Sequence, residues 1–414
     1  MTAFPVERVR AEFPALAIAD NGKPRIYVDN PAGTQVPARV SLAVSRCLLE
    51  TNANLGGYFS TSIAAEEAVF SAHRAMARFL GATSEREVII GPSMTSLTFA
   101  LSRSIGRTLR EGDEVVVTRM DHDGNIGPWL AMAEERGVTV RWVPFDEQSW
   151  TIEASALEAV LNDRTRIVAL NHASNLTGSI NNVRELITRI HAAGALAYID
   201  SVQFAPHCSI DVRGLDCDFL ACSSYKFFGP HLGIVWGREE LLANLYAYKV
   251  RPQTSELPYK FETGTPQIES LAALRATVEY FEWLGSECSA GATGRNAMSA
   301  AFAAASAYER DLTARLISGL QCFDGVRIIG ISDPARYEQR VPTVSFTHSR
   351  RTPSEIARAL AVENIFVWSG HNFALEIVRS LGIDEEEGVV RIGLAHYNTQ
   401  QEVDRVLQAL ATVL

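Results

Sequence analysis

The chain has 414 residues, 47% of them hydrophobic and 21% charged, and a net charge of −10 at pH 7. This composition suits a globular protein with one large core and room for a second domain. The acidic balance argues against a nucleic-acid surface or a polybasic membrane anchor, and no apolar run reaches membrane-spanning length.

The first residues, "MTAFPVERVRAEFPALA", carry charges where a signal peptide has its apolar segment, so we expect a cytoplasmic protein. Residues 1–25 read as an N-terminal segment packing with a small domain, 26–270 as a large domain and 271–414 as the small C-terminal one. From about residue 60 to 240 short apolar strands alternate with helix-period stretches. The strands are "EVIIG", "EVVVTR", "TVRWVPF", "RIVALN", "LAYID", "DFLACS" and "LGIVWG". This pattern predicts an α/β fold with a mostly parallel seven-stranded sheet between helices. The brief link between the last two strands predicts one antiparallel member. Past "GSECSAGATGR", an Ala-rich helix leads to "GVRIIGI", "PTVSFTH", "IFVWSG" and "VVRIGLA", interleaved with helices, which predicts a smaller α+β domain. Six cysteines (Cys47, Cys208, Cys217, Cys222, Cys288, Cys322) lie without C-x-x-C spacing and read as reduced thiols; we expect no metal site.

Within "ACSSYKFFGP", Lys226 follows a buried-strand pattern and precedes an apolar turn. Lys and Arg together number 38, and only four are lysine: Lys23, Lys226, Lys249 and Lys260. A chain that uses arginine for positive charge and keeps a lysine in apolar company points to an amine that can lose its proton and attack a carbonyl. Taken alone, the window also reads as a lysine snorkelling to the surface.

Ligands of open parallel sheets sit beyond the C-terminal strand ends. Those ends carry Ser93, Met94 and Thr95 at a helix start, then His122, Asn175, Asp200, Gln203, Ser223, Tyr225 and Lys226. Singly, each has a structural reading as a cap, a turn former or a satisfied loop side chain. Together they match pyridoxal 5′-phosphate. Lys226 would hold the aldehyde as a Schiff base, and Asp200 would keep the pyridine nitrogen protonated. His122 would stack on the ring, and Gln203 and Asn175 are candidates to donate to its phenolic oxygen. The helix start, Thr95 and Ser223 would hold phosphate. A nicotinamide site would need G-x-G-x-x-G after the first strand, and "GPSMTS" does not supply it.

Over nearly its whole length the sequence also resembles the class V aminotransferase group of fold-type-I pyridoxal-phosphate enzymes, cysteine desulfurases and their relatives above all. The resemblance rests on "YVDNPAGTQVP", "DHDGNIGPW", "NHASNLTGSI", "YIDSVQFAPHC", "SSYKFFGP", "FETGTP" and "VRIGLAHYN". It implies a homodimer with shared active sites, in which Thr265 reaches the phosphate in the partner subunit. It also implies that Arg391 binds a substrate α-carboxylate, with Asn175, Trp368 and His371 at the substrate. An alternative for Arg391 is pairing with an acid of "DEEEG". Three departures stand out. Tyr225 occupies the usual histidine position, where a phenol still donates to phosphate. In "WSGHNF", Trp368 replaces an arginine and Phe373 replaces the persulfide-forming cysteine. We therefore expect an α-amino acid to undergo transamination or β-elimination, through a quinonoid and without an enzyme persulfide. The alternatives are a desulfurase that releases sulfide or uses an external thiol, and an amino-acid epimerase.

Overall fold

The computed structural model describes residues 4–414. Its central sheet has seven strands: β1 (Val88–Gly91), β2 (Glu114–Thr118), β3 (Thr139–Val143), β4 (Thr165–Asn171), β5 (Leu196–Asp200), β6 (Phe219–Ser223) and β7 (Gly233–Gly237). They run in the order β1-β7-β6-β5-β4-β2-β3, with β7 antiparallel to both neighbours and the rest parallel. All seven expected strands are present, and the short turn after β6 does reverse the chain.

Successive strand side chains face opposite ways, and the two cores follow that alternation. Val115, Val117, Ile167 and Tyr198 pack under helices at Met94–Gly106 and Gly127–Arg136. Val116, Val168, Leu170 and Ile199 pack on the other face, under helices at Ser60–Leu80 and Val183–Ala192. Away from the edge strand β3, which keeps Thr139 and Arg141 exposed, both sheet faces are covered, which is why those strands read as apolar runs.

The long helices Ile268–Cys288 and Gly294–Leu320 run against each other. The first also lies on Ala38–Glu50 and Ser60–Leu80, so it covers the large sheet although it follows residue 270. Beyond it a second, antiparallel sheet forms from β8 (Val326–Ile329), β9 (Thr343–His348), β10 (Trp368–Gly370) and β11 (Val389–Gly393), in the order β8-β9-β11-β10. Helices at Pro353–Val362 and Gln400–Val413 cover it, and each starts with a reciprocal cap, Thr352 with Glu355 and Thr399 with Glu402.

Ile26 and Val28 belong to this second core, and Ile26–Tyr27 pairs in parallel with Ile365–Phe366. The packing therefore crosses the boundaries expected at 25/26 and 270/271. The N-terminal segment spans both bodies. Phe4 stacks on Tyr308, whereas Phe13 packs among Phe228, Tyr280 and Tyr397.

Gly285 lies where the two long helices touch. An added methyl would come 1.8 Å from the Ala297 carbonyl oxygen, so the helices would have to part. Gly285→Ala should destabilise the protein by about 1–3 kcal/mol despite alanine's better helix propensity. A fall in the denaturant midpoint checks this; an unchanged midpoint contradicts it.

Candidate active site

One cavity of about 540 Å³ opens at the C-terminal ends of the parallel strands. Ser93, Met94, Thr95, His122, Asn175, Asp200, Gln203, Ser223, Tyr225, Lys226, Trp368 and Arg391 all line it. Residues more than 290 positions apart in sequence thus meet around one space.

Ser93 caps the helix at Met94–Gly106, its hydroxyl accepting from the Ser96 N–H at 3.1 Å. The first turn of that helix, with unpaired N–H groups and the positive end of its dipole, faces the cavity at Met94 and Thr95. His122 follows β2, and its Nδ1 accepts from the Gly124 N–H at 2.9 Å. Burial, together with the charges of Lys226 and Arg391, lowers its pKa to about 3, so the ring is neutral at physiological pH.

Behind it stands a carboxyl that the sequence reading passed over. Asp121 is fully buried and accepts from Asn125 Nδ2 at 2.7 Å, from the Asn171 N–H at 3.2 Å and from the Thr118 hydroxyl. Burial raises its pKa to about 8. The available signal is an acid directly before His122 in "MDHDGN". Val202, Phe99 and Asn372 also line the cavity and were not anticipated.

Asp200 ends β5 and accepts from the Val202 N–H at 2.8 Å; burial pushes its pKa up to about 6. Lys226 lies in the turn between β6 and β7 and is almost wholly buried. Its Nζ donates to the carbonyls of Pro31 and Ala32, the second at 2.9 Å, and Gln203 Nε2 donates to the same Pro31 carbonyl at 2.8 Å. Removal from water, followed by the charge of Arg391, lowers the Lys226 pKa to about 7 against the pull of Asp200 and Asp29. Lys260 is also buried, held by the Ala243 and Leu245 carbonyls, but it lies away from the cavity.

Arg391, on β11, is 4% exposed and burial lowers its pKa to about 10. Its Nη1 donates to the Asn175 carbonyl at 3.1 Å, its Nε has no partner, and it joins no salt bridge among the described residues. Glu385 of "DEEEG" pairs with Arg379 instead. Asp29 is the one carboxylate that acts on Arg391, at longer range than a salt bridge, so the buried guanidinium keeps hydrogen-bonding capacity for an incoming anion.

The small sheet reaches this position by docking on the loop after β4. Val341 N–H donates to the Gly178 carbonyl at 2.8 Å and Ser345 Oγ to the Leu176 carbonyl at 2.6 Å. Gly178 has a φ of +74°, and a Cβ there would come 2.3 Å from the Thr343 carbonyl oxygen. Asn175 Nδ2 then donates to the Asn372 carbonyl at 2.7 Å, while the Oδ1 atoms of both asparagines stay unpaired in the buried interior.

Two expected residues stand off the cavity. His371 turns onto its own loop, where its Nδ1 accepts the Phe373 N–H at 3.0 Å, and it does not line the space as a substrate contact would. Thr265 is exposed and lies outside its own chain's cavity. Phe373, 64% exposed, does line the cavity and stacks on His122 at 5.4 Å between centroids. No cysteine is among the described residues that line it, and all six thiols are free.

Residues 26–406 match the family model described as aminotransferase class-V. The aminotransferase-like protein FGM3 of Gibberella zeae is 33% identical over 422 residues, covering 100% of this chain and 99% of its own. A probable cysteine desulfurase of Synechocystis sp. is 31% identical over 420 residues, covering 98% and 95%. Among solved structures, the cysteine desulfurase of Thermococcus onnurineus superposes with a TM-score of 0.87 at 26% identity, over 100% of this chain and 99% of that one. The cysteine desulfurase CsdA of Escherichia coli gives 0.85 at 25% identity with the same coverage.

An amine attacks carbonyls only when neutral, so a lowered pKa brings reactivity into the neutral range as pH rises. Reductive alkylation by a small aldehyde, read at the Lys226 peptide, should be half-maximal near pH 7 and level off above it. A half-maximum near 10.5, the ordinary lysine value, would contradict the desolvated site.

Proposed function

The chain belongs to the class-V aminotransferase family and is a pyridoxal-phosphate-dependent enzyme, and from that premise we propose that it acts on an α-amino acid by transamination or β-elimination, without an enzyme persulfide. The observation that carries this reading is a lysine of lowered pKa, a buried aspartate, a neutral imidazole and a buried arginine with an unpaired Nε around one cavity.

When bound, pyridoxal phosphate supplies an aldehyde that an amine can capture and a protonated pyridine that draws electrons from the substrate's Cα. The residues present fit such a group. Lys226 would hold the aldehyde carbon, and its amine would move the proton at the substrate's Cα. Asp200 would keep the proton on the pyridine nitrogen, a task for which a buried carboxylate needs a cationic partner. His122 would lie flat on the ring, while Gln203 and Asn175 would donate to the phenolic oxygen. Ser93, Thr95, Ser223, Tyr225 and the Met94 N–H would bind the phosphate. Arg391 would take the substrate's carboxylate through two parallel hydrogen bonds, with Asn175 beside it.

We further propose a homodimer in which Thr265 serves the partner's phosphate. Leu49, Tyr58, Phe59 and Ile63, exposed on and between the helices at Ala38–Glu50 and Ser60–Leu80, support a covered face there. Thr265, free of its own cavity, fits that arrangement.

Relatives named cysteine desulfurase favour a second reading, cysteine turnover in which sulfur leaves as sulfide or on an added thiol. Phe373 stands at the loop position of the missing thiol, and Cys222 is fully buried in β6 with its pKa raised by burial.

Assay of amino acids by cofactor absorbance, with keto acid, ammonia and sulfide read together, tests the first reading. Lys226→Ala should abolish turnover. Arg391→Ala should lower kcat/KM by about a hundredfold or more while cofactor content is retained, since a charge-assisted bidentate contact is worth several kcal/mol. Full activity in Arg391→Ala would show that the carboxylate binds elsewhere. After incubation with cysteine, intact-protein mass spectrometry should find no transferable sulfur on any of the six cysteines. A stoichiometric, transferable adduct would restore a persulfide mechanism.

A further inference from the structure

Trp368 and Phe373 are large apolar side chains, 53% and 64% exposed, and both line the cavity with the half-buried Phe99. Isolated exposed apolar residues need no explanation, but three aromatic rings on one cavity do. Each of the first two is held in place. Trp368 is the direct cross-strand partner of Arg391 in the β10–β11 pair, so the two side chains leave the same sheet face roughly 5 Å apart at Cβ. Phe373 sits at φ +58° next to Asn372 at φ +52°, a left-handed conformation that aromatic residues rarely adopt.

That loop is fastened to the site on two sides. The Phe373 carbonyl accepts the Asp123 N–H at 2.7 Å, and the Asn372 carbonyl accepts from Asn175 Nδ2 at 2.7 Å. Backbone held in a costly conformation by such bonds commonly marks a functional position. The result is an aromatic ring fixed over His122 and an indole fixed beside Arg391.

Charge narrows the choice further. Among the described residues, the cations that line the cavity are Lys226 and Arg391. His122 is neutral, and the acids Asp123 and Asp200 share the lining. If Arg391 takes the α-carboxylate, this chain's own lining leaves no cation for a second one.

Resting on the amino-acid reading above, we propose that this site selects α-amino acids with an aromatic or large apolar side chain, packed against Trp368, Phe373 and Phe99, and rejects acidic ones. Aromatic contacts add to plain apolar burial, and an unpaired second carboxylate must be desolvated without compensation. Trp368 is then a specificity-determining residue, with Phe373 as its counterpart on the loop.

The test is kcat/KM of the cofactor-loaded enzyme on phenylalanine, leucine, alanine, cysteine, aspartate and glutamate. We expect phenylalanine or leucine to exceed alanine by tenfold or more and glutamate by about a hundredfold. Trp368→Arg should raise the glutamate-to-phenylalanine ratio at least tenfold, and Phe373→Ala should reduce phenylalanine more than alanine; cofactor absorbance reports that each variant is folded. Preference for an acidic or small substrate in the wild type, or an unmoved ratio in Trp368→Arg, overturns the proposal and leaves the amino-acid reading standing. Turnover of none of these amino acids, with cofactor bound, overturns both.

Discussion

Everything at this site depends on keeping water away from one amine. Lys226 has no carboxylate against its Nζ; it has two backbone carbonyls, from Pro31 and Ala32. Carbonyl dipoles orient an ammonium but return only part of what its hydration provided, so the balance shifts toward the neutral form. A direct ion pair would have held the proton on. With the nearest acids kept at longer range, the amine sits close to its titration point at neutral pH, where it can both attack and accept a proton.

The segment that supplies those carbonyls is also the seam between the two sheets. Val28 accepts from the Gly393 N–H at 2.7 Å, and Asn30 donates to the Gly393 carbonyl at 2.8 Å. Gly393 ends the strand that carries Arg391. Lysine and arginine are thus referenced to the same few residues, 28–32, from opposite sides. The loop after β4 makes a second tie, through Gly178, Leu176 and Asn175. Two independent fastenings keep a guanidinium from the small sheet beside an amine from the large one.

The strands were legible because both faces of a covered parallel sheet are apolar, and the rim residues because strand ends are where such sheets place their chemistry. The lysine's rarity pointed to Lys226, yet Lys260 is buried as well, capped by carbonyls and outside the site cavity. Composition alone could not separate the two; position on the rim did. The burial of Asp121 was not legible for a different reason. Thr118 and Asn125 reach its carboxyl locally, but the Asn171 N–H that completes its partners comes only once β2 and β4 lie side by side. The freedom of Arg391 from "DEEEG" is likewise set by tertiary docking, whereas His371 is held off the cavity by a local bond from the Phe373 N–H. A packing boundary offset from the expected one arises because the helix at Ile268–Cys288 is buried along much of its length and so belongs with whatever surrounds it.

The central claim is that Lys226 is the amine that carries the cofactor. Loading the protein with pyridoxal phosphate, reducing with borohydride and mapping the peptides measures this directly. The account predicts one pyridoxyl group per chain, on the peptide containing Lys226. A label on Lys23, Lys249 or Lys260 in its place would contradict it.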